Sequence, residues 1–234
     1  MRAGPRVRLG TALCGLVFAL AAQAEDERVV PAHEEPRHVP KLVNEWVRVI
    51  DVEIPEGEQT LFHAHALDYP YLMITGVTLD NQVHGEPRRE VTIRAGDVGY
   101  YRASTQGVYT HRFINRGPGT FRAIGIELLK PLGVAAETGA PLADRPGLRT
   151  VLDNERVRAW RIALAPGQAL GPLDIPGPSL RVAMTAGTLT ESVDGREETF
   201  ELAPAGFVFR ENTMRSSLRN TGPQTVELTV FTLR

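Results

Sequence analysis

Apolar and polar residues alternate with a period of two along much of the chain. The segments WVRVIDVEI, from Trp46, and RVRAWRIAL, from Arg156, show this alternation clearly. Successive side chains of a β-strand point to opposite faces of its sheet, so the alternation predicts strands with one buried face. The chain has 22 glycines and 17 prolines, which supply many turns between such segments. The pattern therefore predicts short strands folded as a sandwich or barrel.

The strand pattern occurs twice in the same order. NEWVRVIDVEIPEGEQ begins at Asn44, and NERVRAWRIALAPGQA begins 110 residues later, at Asn154. Near the end of each half, the segments FINRG and SLRNTG place Asn115 and Asn220 at a separation of 105 residues. Matches that keep their order over most of both halves predict a duplicated unit of about 85 residues.

The first residues of the chain follow a different pattern. Three arginines precede a short apolar run, TALCGLVFALAA, and the triplet AQA that ends at Ala24 is followed by acidic residues. This order predicts a secretory signal peptide over residues 1–24 and hence a periplasmic or secreted protein. The one cysteine, Cys14, lies inside this segment. The mature chain would therefore lack disulfides and thiolate metal ligands.

Charge and composition narrow the classes of partner. The formal net charge is −2, and no stripe of lysine and arginine marks a nucleic-acid interface. No segment after the signal peptide has the length and apolar character of a membrane span. We therefore predict a small-molecule ligand or substrate, no nucleic acid, and no membrane contact after signal cleavage.

These features divide the chain into five predicted regions. Between the two units lies a segment rich in proline, glycine and alanine, and before the first unit lies a polar segment interrupted by proline. We interpret the latter as an extended arm that either packs on the first unit or stays mobile. The predicted regions are the signal peptide 1–24, the N-terminal arm 25–43, a first barrel 44–130, a linker 131–149 and a second barrel 150–234.

Glycines, histidines and one asparagine recur at distinctive spacings in the first unit. The residues are Gly57, His63, His65, Gly76, Gly96, His111 and Asn115. Their spacings fit two motifs of the cupin superfamily, so the unit resembles a cupin, although Arg102 stands where the second motif has a proline. Together with the repeat, the resemblance implies an all-β bicupin, two tandem cupin (jelly-roll) β-barrels, in an exported bacterial protein.

The histidines of the first unit are suited to bind a metal. Because residues i and i+2 of a strand share a face, His63 and His65 can both point into a barrel, where His111 can join them from another strand. Neutral imidazole is a common ligand of transition metals. We predict one divalent transition metal, which is Fe, Mn, Ni, Zn or Cu. His33 and His38 in the arm and His84 in a turn are interpreted as solvated residues.

The sequence ALDY leaves the fourth ligand open. Counting back from Gly76, the cupin motif's glutamate position holds Tyr69. In one interpretation Asp68 supplies a carboxylate ligand. In the other, which we favour, the ligands are three histidines and Tyr69 lies near the metal as a hydrogen-bond or proton donor or as an occasional ligand. Tyr69 is thus the candidate catalytic residue.

The second unit lacks the histidines. Leu173, Ile175 and Ser216 occupy the positions of His63, His65 and His111. We therefore predict a supporting second barrel, which either buries the outer sheet of the first barrel or forms the face of a homodimer. A metal-free pocket for an organic ligand is the alternative.

Three functions are compatible with these residues. The favoured one is a metal-dependent enzyme that acts on a small organic molecule, with dioxygenase-like or isomerase/lyase-like chemistry. The alternatives are a non-catalytic periplasmic protein that binds a small ligand or metal, and a structural protein. Candidate cavity walls are Phe62, Tyr71, Met73, Phe113 and Ile126, and candidate polar contacts are Tyr69, Tyr100, Tyr101, Gln106 and Tyr109.

Overall fold

The structure, a computed structural model, describes residues 27–131 and 142–234. The predicted signal peptide and most of the predicted linker lie outside the described residues. The all-β prediction is confirmed, because the described elements are strands except for a 3-10 turn, Ala32–Glu34, and one short helix, α1, Ala103–Gln106. None of the helices in these ranges has the length and apolar character needed to cross a membrane.

The first unit contains ten strands in two sheets. They are β1 Val29–Pro31, β2 His38–Val43, β3 Val47–Ile54, β4 Phe62–His65, β5 Tyr69–Met73, β6 Val77–Val83, β7 Arg89–Ile93, β8 Val98–Tyr101, β9 Tyr109–Gly117 and β10 Phe121–Leu128. The sheets have the strand orders β1-β4-β9-β6-β7 and β2-β3-β10-β5-β8. Their pairs are antiparallel except β1 with β4, and the two sheets face each other as a jelly-roll barrel.

The second unit repeats this arrangement with nine strands. They are β11 Leu148–Asp153, β12 Val157–Leu164, β13 Ala169–Ile175, β14 Ser179–Ala183, β15 Gly187–Val193, β16 Arg196–Leu202, β17 Phe207–Arg210, β18 Met214–Asn220 and β19 Val226–Leu233. The orders β11-β12-β19-β14-β17 and β13-β18-β15-β16 match those of the first unit without a counterpart of β1.

The predicted N-terminal arm is part of the first barrel's sheets. β1 pairs in parallel with β4, and β2 pairs with β3, so residues 29–43 supply an edge strand to each sheet. Of the two interpretations of this segment, packing on the barrel is the one that the structure shows. The edge of β4, which carries two of the candidate ligands, is covered as a result.

A shared apolar core joins the two barrels. One cluster of buried residues combines outward-facing positions of β3, β5 and β10 with those of β12, β14 and β19. It includes Leu72, Ile124, Val157, Val182 and Phe231, each no more than 1% exposed. The sheets in this contact are buried on both faces, which explains their nearly continuous apolar runs. The second barrel thus buries the outer sheet of the first, one of the two supporting roles predicted from the sequence.

Candidate metal centre

Strand pairing brings three predicted ligands together. β4 and β9 are antiparallel neighbours with His63 opposite His111, and His65 projects from the same face of β4 two residues later. The potential ligand atoms of the three imidazoles all lie within 4.8 Å of one another. The Nε2 atoms of His65 and His111 are 3.2 Å apart. Two nitrogens bound to one metal at about 2.1 Å are about 3.0–3.5 Å apart, so the spacing suits a shared ion.

Hydrogen bonds orient two of the rings for metal binding. Nδ1 of His63 is 3.0 Å from the carbonyl oxygen of Leu61, and Nδ1 of His111 is 2.9 Å from Oδ1 of Asn81. The amide of Asn81 donates to the Tyr109 hydroxyl at 2.9 Å, which leaves its oxygen for His111. Since these oxygens accept, each Nδ1 carries the proton and each Nε2 keeps its lone pair.

His65 is held differently from the other two. Its Nδ1 is buried and has no hydrogen-bond partner among the described residues. Its ring stacks on Tyr69, with the ring centres 4.1 Å apart and the planes at 19°. The ring is therefore fixed by packing and by its neighbours rather than by a hydrogen bond to Nδ1.

Burial keeps all three imidazoles neutral. Loss of hydration lowers the pKa of His63 to about 4 and, with the added effect of His63, that of His65 to about 3. The pKa of His111 is lowered well below its usual value by burial and then by His63 and His65. A metal competes with protons for the same lone pairs, so neutral rings are the form that binds. Three buried neutral imidazoles fit a divalent transition metal.

The three rings face a cavity of about 260 Å³ inside the first barrel. Four of the five predicted wall residues line it, namely Tyr71, Met73, Phe113 and Ile126. Phe62 does not line it, since its ring packs against His84 and under the Arg112 guanidinium. The cavity is therefore mainly apolar, with polar groups concentrated at the histidines.

Two of the five predicted polar contacts, Tyr69 and Tyr109, line the cavity. The other three do not, because Tyr100 bonds to Asp68, the Tyr101 hydroxyl donates to the Gly107 carbonyl, and Gln106 caps the backbone of Arg102.

The structure corrects the interpretation of Asp68 as a metal ligand. Its carboxylate accepts hydrogen bonds from the Ser104 amide at 2.7 Å, the Ser104 hydroxyl at 2.9 Å and the Tyr100 hydroxyl at 2.8 Å. Arg156, from the second unit, lies 3.4 Å away. Burial raises the pKa of Asp68, but these donors outweigh it and lower that pKa overall. Asp68 therefore helps to join the barrels and does not belong to the ligand group.

Tyr69 lies on the cavity wall beside the histidine cluster. It is buried, lines the cavity and stacks on His65. Burial, followed by the nearby Tyr71, Tyr109 and Tyr101, raises the pKa of Tyr69 well above its usual value. The phenol is therefore protonated and can act as a hydrogen-bond donor rather than as a base.

His38 was interpreted as solvated, and this is wrong. It is 5% exposed and lines the cavity, with its ring centre 4.3 Å from that of His63. The sequence of β2 does not predict a strand, because it contains Pro40 and proline is uncommon within strands. His33 and His84 are half-buried and exposed, respectively, and neither lines the cavity.

Sequence reasoning also missed Glu127. It is the one carboxylate among the described residues that line the cavity, and it pairs with Arg48 on the neighbouring strand. Its position could have been found from the alternation of β10, since Phe121 and Ala123 precede it on the same face and also line the cavity.

The second barrel has no equivalent group of ligands in residues 142–234. Leu173 pairs with Ser216 in the register that joins His63 to His111, which matches the sequence alignment. Ser216 donates to Glu191 at 2.8 Å, and Arg181 makes two hydrogen bonds to the same carboxylate, at 2.7 and 3.0 Å. A buried ion pair therefore occupies the region that holds the histidines in the first barrel.

Solved structures with similar folds cover most of the chain. No protein-family model and no curated protein matches the sequence. A salicylate 1,2-dioxygenase variant from Pseudoaminobacter salicylatoxidans, in complex with gentisate, is 14% identical with a TM-score of 0.58, and the match covers 94% of this chain and 79% of that one. AerE from Microcystis aeruginosa is 11% identical with a TM-score of 0.57, over 86% of this chain and 98% of that one.

A cupin 2 conserved barrel domain protein from Leptotrichia buccalis is 13% identical with a TM-score of 0.50, over 84% of this chain and 88% of that one. The chain has the cupin fold. Two cupin barrels in tandem account for its length, and the histidine cluster lies in the first. The cupin fold and the three-histidine group together indicate a metal-binding cupin, although identities this low carry the fold and not an activity.

Proposed function

We propose that this bicupin is a metal-dependent enzyme that acts on a small organic molecule inside its first barrel. The observation that carries the proposal is the convergence of three neutral imidazoles on the wall of an apolar cavity of about 260 Å³. A transition metal bound there would supply a Lewis acid and open positions for a chelating substrate or oxygen. The residues of the chain would bind, orient and shield that substrate.

The cavity favours a small, partly aromatic substrate. Tyr71, Phe113 and Phe121 line it, and aromatic rings pack well against such walls. The Tyr109 hydroxyl accepts a hydrogen bond from Asn81, so its own proton is available to a bound oxygen atom. Small aromatic hydroxy acids are the first class to test, because the salicylate dioxygenase with a similar fold was solved with gentisate. Dioxygenase-like and isomerase/lyase-like reactions both remain candidate activities for this site.

Tyr69→Phe tests whether the site is catalytic. The variant loses only the hydroxyl, so it should retain metal while turnover falls by about 100-fold or more, the usual scale for a positioned acid–base group. Oxygen uptake and product formation with aromatic hydroxy acids would measure the loss, and His84→Ala is the control that should keep full activity. Unchanged turnover in Tyr69→Phe would remove the tyrosine from the mechanism.

A second candidate function is ligand binding without turnover. It is favoured by Glu127, since the one carboxylate on the described cavity wall is already paired with Arg48 and is a poor general base. Under this function a ligand would bind to the metal-loaded protein with no product and no oxygen uptake, and Tyr69→Phe would change affinity alone. Calorimetric binding combined with product analysis separates the two functions.

Export to the periplasm is part of the proposal. It is supported by the arrangement of residues 1–24. Intact-mass measurement of the protein from the periplasm should give a chain that begins at Glu25. A chain that keeps Met1 and remains in the cytoplasm would contradict export without affecting the metal centre.

A further inference from the structure

One carboxylate faces the cavity from the sheet opposite the histidines. Glu127 lies on β10, whereas the three histidines lie on β4 and β9 of the other sheet. The Glu127 side chain is 5% exposed, and it lines the same cavity as the three imidazoles. A ligand held between the two sheets would therefore contact the histidines on one side and Glu127 on the other.

The two carboxylate oxygens of Glu127 have different surroundings. Oε2 pairs with the guanidinium of Arg48, the residue opposite on β3, and lies 3.8 Å from Nδ1 of His33. Oε1 has no hydrogen-bond partner among the described residues. Because buried carboxylate oxygens in proteins normally have a donor, we expect Oε1 to take one from whatever fills the cavity.

Buried ion pairs elsewhere in this protein use both carboxylate oxygens. Arg181 donates to the two oxygens of Glu191 at 2.7 and 3.0 Å. Arg122 donates to the two oxygens of Asp51 at 3.1 and 2.8 Å. Glu127 shares only one oxygen with its arginine, so the other oxygen is available for a contact that is not part of the ion pair.

The fold does not require a carboxylate at this position. In the first barrel Glu127 lies opposite Arg48 in the strand register. At the equivalent position of the second barrel, Thr232 lies opposite Arg158, which pairs instead with the exposed Asp153. The arginine is thus common to both barrels, and the buried glutamate belongs to the barrel that has the histidines.

We propose that Glu127 accepts a hydrogen bond from the substrate and so selects small aromatic molecules that carry a hydroxyl or amino group. The inference rests on the proposed function and narrows its substrate class. A carboxylate paired with an arginine can only accept hydrogen bonds, so a methoxy group at the same place would leave Oε1 without a bond. The ion pair with Arg48 holds the carboxylate in place, which suits recognition rather than proton transfer.

Paired benzoates measure this selection. The probes are meta- and para-hydroxybenzoate and their methoxy counterparts, added to the Zn²⁺-loaded protein because Zn²⁺ has no redox chemistry. By calorimetry, the wild type should bind at least one hydroxybenzoate about tenfold or more tightly than its methoxy partner, as expected for a hydrogen bond to a charged group. Glu53→Gln changes an exposed glutamate that pairs with Arg122, and this control should match the wild type.

Two variants of Glu127 separate recognition from packing. In Glu127→Gln the side-chain oxygen can stay on Arg48 while the amide presents an N–H to the cavity, so the preference should reverse in favour of the methoxy group. Glu127→Thr introduces the residue of the second barrel and should abolish the preference without reversing it. Both variants should keep the metal content of the wild type, because Glu127 is outside the ligand group. Equal affinities within both probe pairs in the wild type, or an unchanged preference in both variants, would overturn the inference.

The outcomes also distinguish this inference from the proposed function. A wild type that shows the preference but forms no product with any transition metal would contradict the enzyme and leave the inference intact. A wild type that holds its metal by elemental analysis but binds neither hydroxybenzoate would overturn the inference and leave the metal centre in place.

Discussion

The two barrels share strand order and register but differ in what they place at equivalent positions. His63 and His111 face each other across β4 and β9, and Leu173 and Ser216 do so across β13 and β18. Asn81 orients an imidazole in the first barrel, whereas Glu191, at its counterpart, pairs with Arg181. The two barrels therefore have the same backbone framework, and a few side chains at equivalent positions decide whether a barrel can bind a metal or only forms a packed core.

One motif residue has the same role in both barrels. Asn115 donates to the carbonyls of Ile54 and Gly119, and Asn220 donates to those of Leu164 and Gln224. Each side-chain oxygen also accepts from a backbone N–H two residues later. The asparagine that ends the second cupin motif thus stabilises the backbone of the barrel, which explains its presence in the barrel without histidines.

The largest stability effect is expected in the second barrel, from Glu191→Ala. The change leaves the Arg181 guanidinium buried without its partner, which typically destabilises a protein by about 3–5 kcal/mol. Denaturant unfolding measures the loss, and metal content should not change. Asp174→Ala is the matched control, since its pair with Arg215 is exposed and should contribute less than about 1 kcal/mol. A loss as small as the control's would mean that the buried Arg181–Glu191 ion pair does not stabilise the second barrel.

An intermediate effect is expected in the first barrel, from Asn81→Ala. The variant removes the acceptor that fixes the tautomer of His111, and the loss of such a partner typically weakens metal binding by about 10–100-fold. Competition with a chelator measures the affinity. Gln82→Ala changes the next residue of β6, which bonds to Arg112 outside the cavity, and should match the wild type. Equal affinities in both variants would contradict the orienting role of Asn81.

The smallest effect on metal is expected from Asp68→Ala. Its carboxylate bonds to Ser104, Tyr100 and Arg156, so metal affinity should stay within a factor of about two while stability falls by about 1–3 kcal/mol. Elemental analysis and denaturant unfolding measure the two quantities. A tenfold loss of metal affinity without loss of stability would restore Asp68 as a ligand.

The sequence predicted the fold and three site residues because both follow from local patterns. Alternation identifies strands, and the spacing of His63 and His65 places them on one face whatever the rest of the chain does. Asp68 could not be placed in this way, since its orientation depends on Ser104, Tyr100 and Arg156, all distant from it in the sequence. His38 was missed because β2 is a proline-containing edge strand, and its burial arises only when it pairs with β3.

The central claim is that one metal ion binds, in the first barrel. The most direct test gives that barrel the residues of the second, in the triple variant His63→Leu, His65→Ile and His111→Ser. After loading with Fe, Mn, Ni, Cu or Zn, elemental analysis should find about one ion per wild-type chain and none in the triple variant. Two ions per wild-type chain, none with any of the five metals, or undiminished binding by the folded triple variant would contradict the claim.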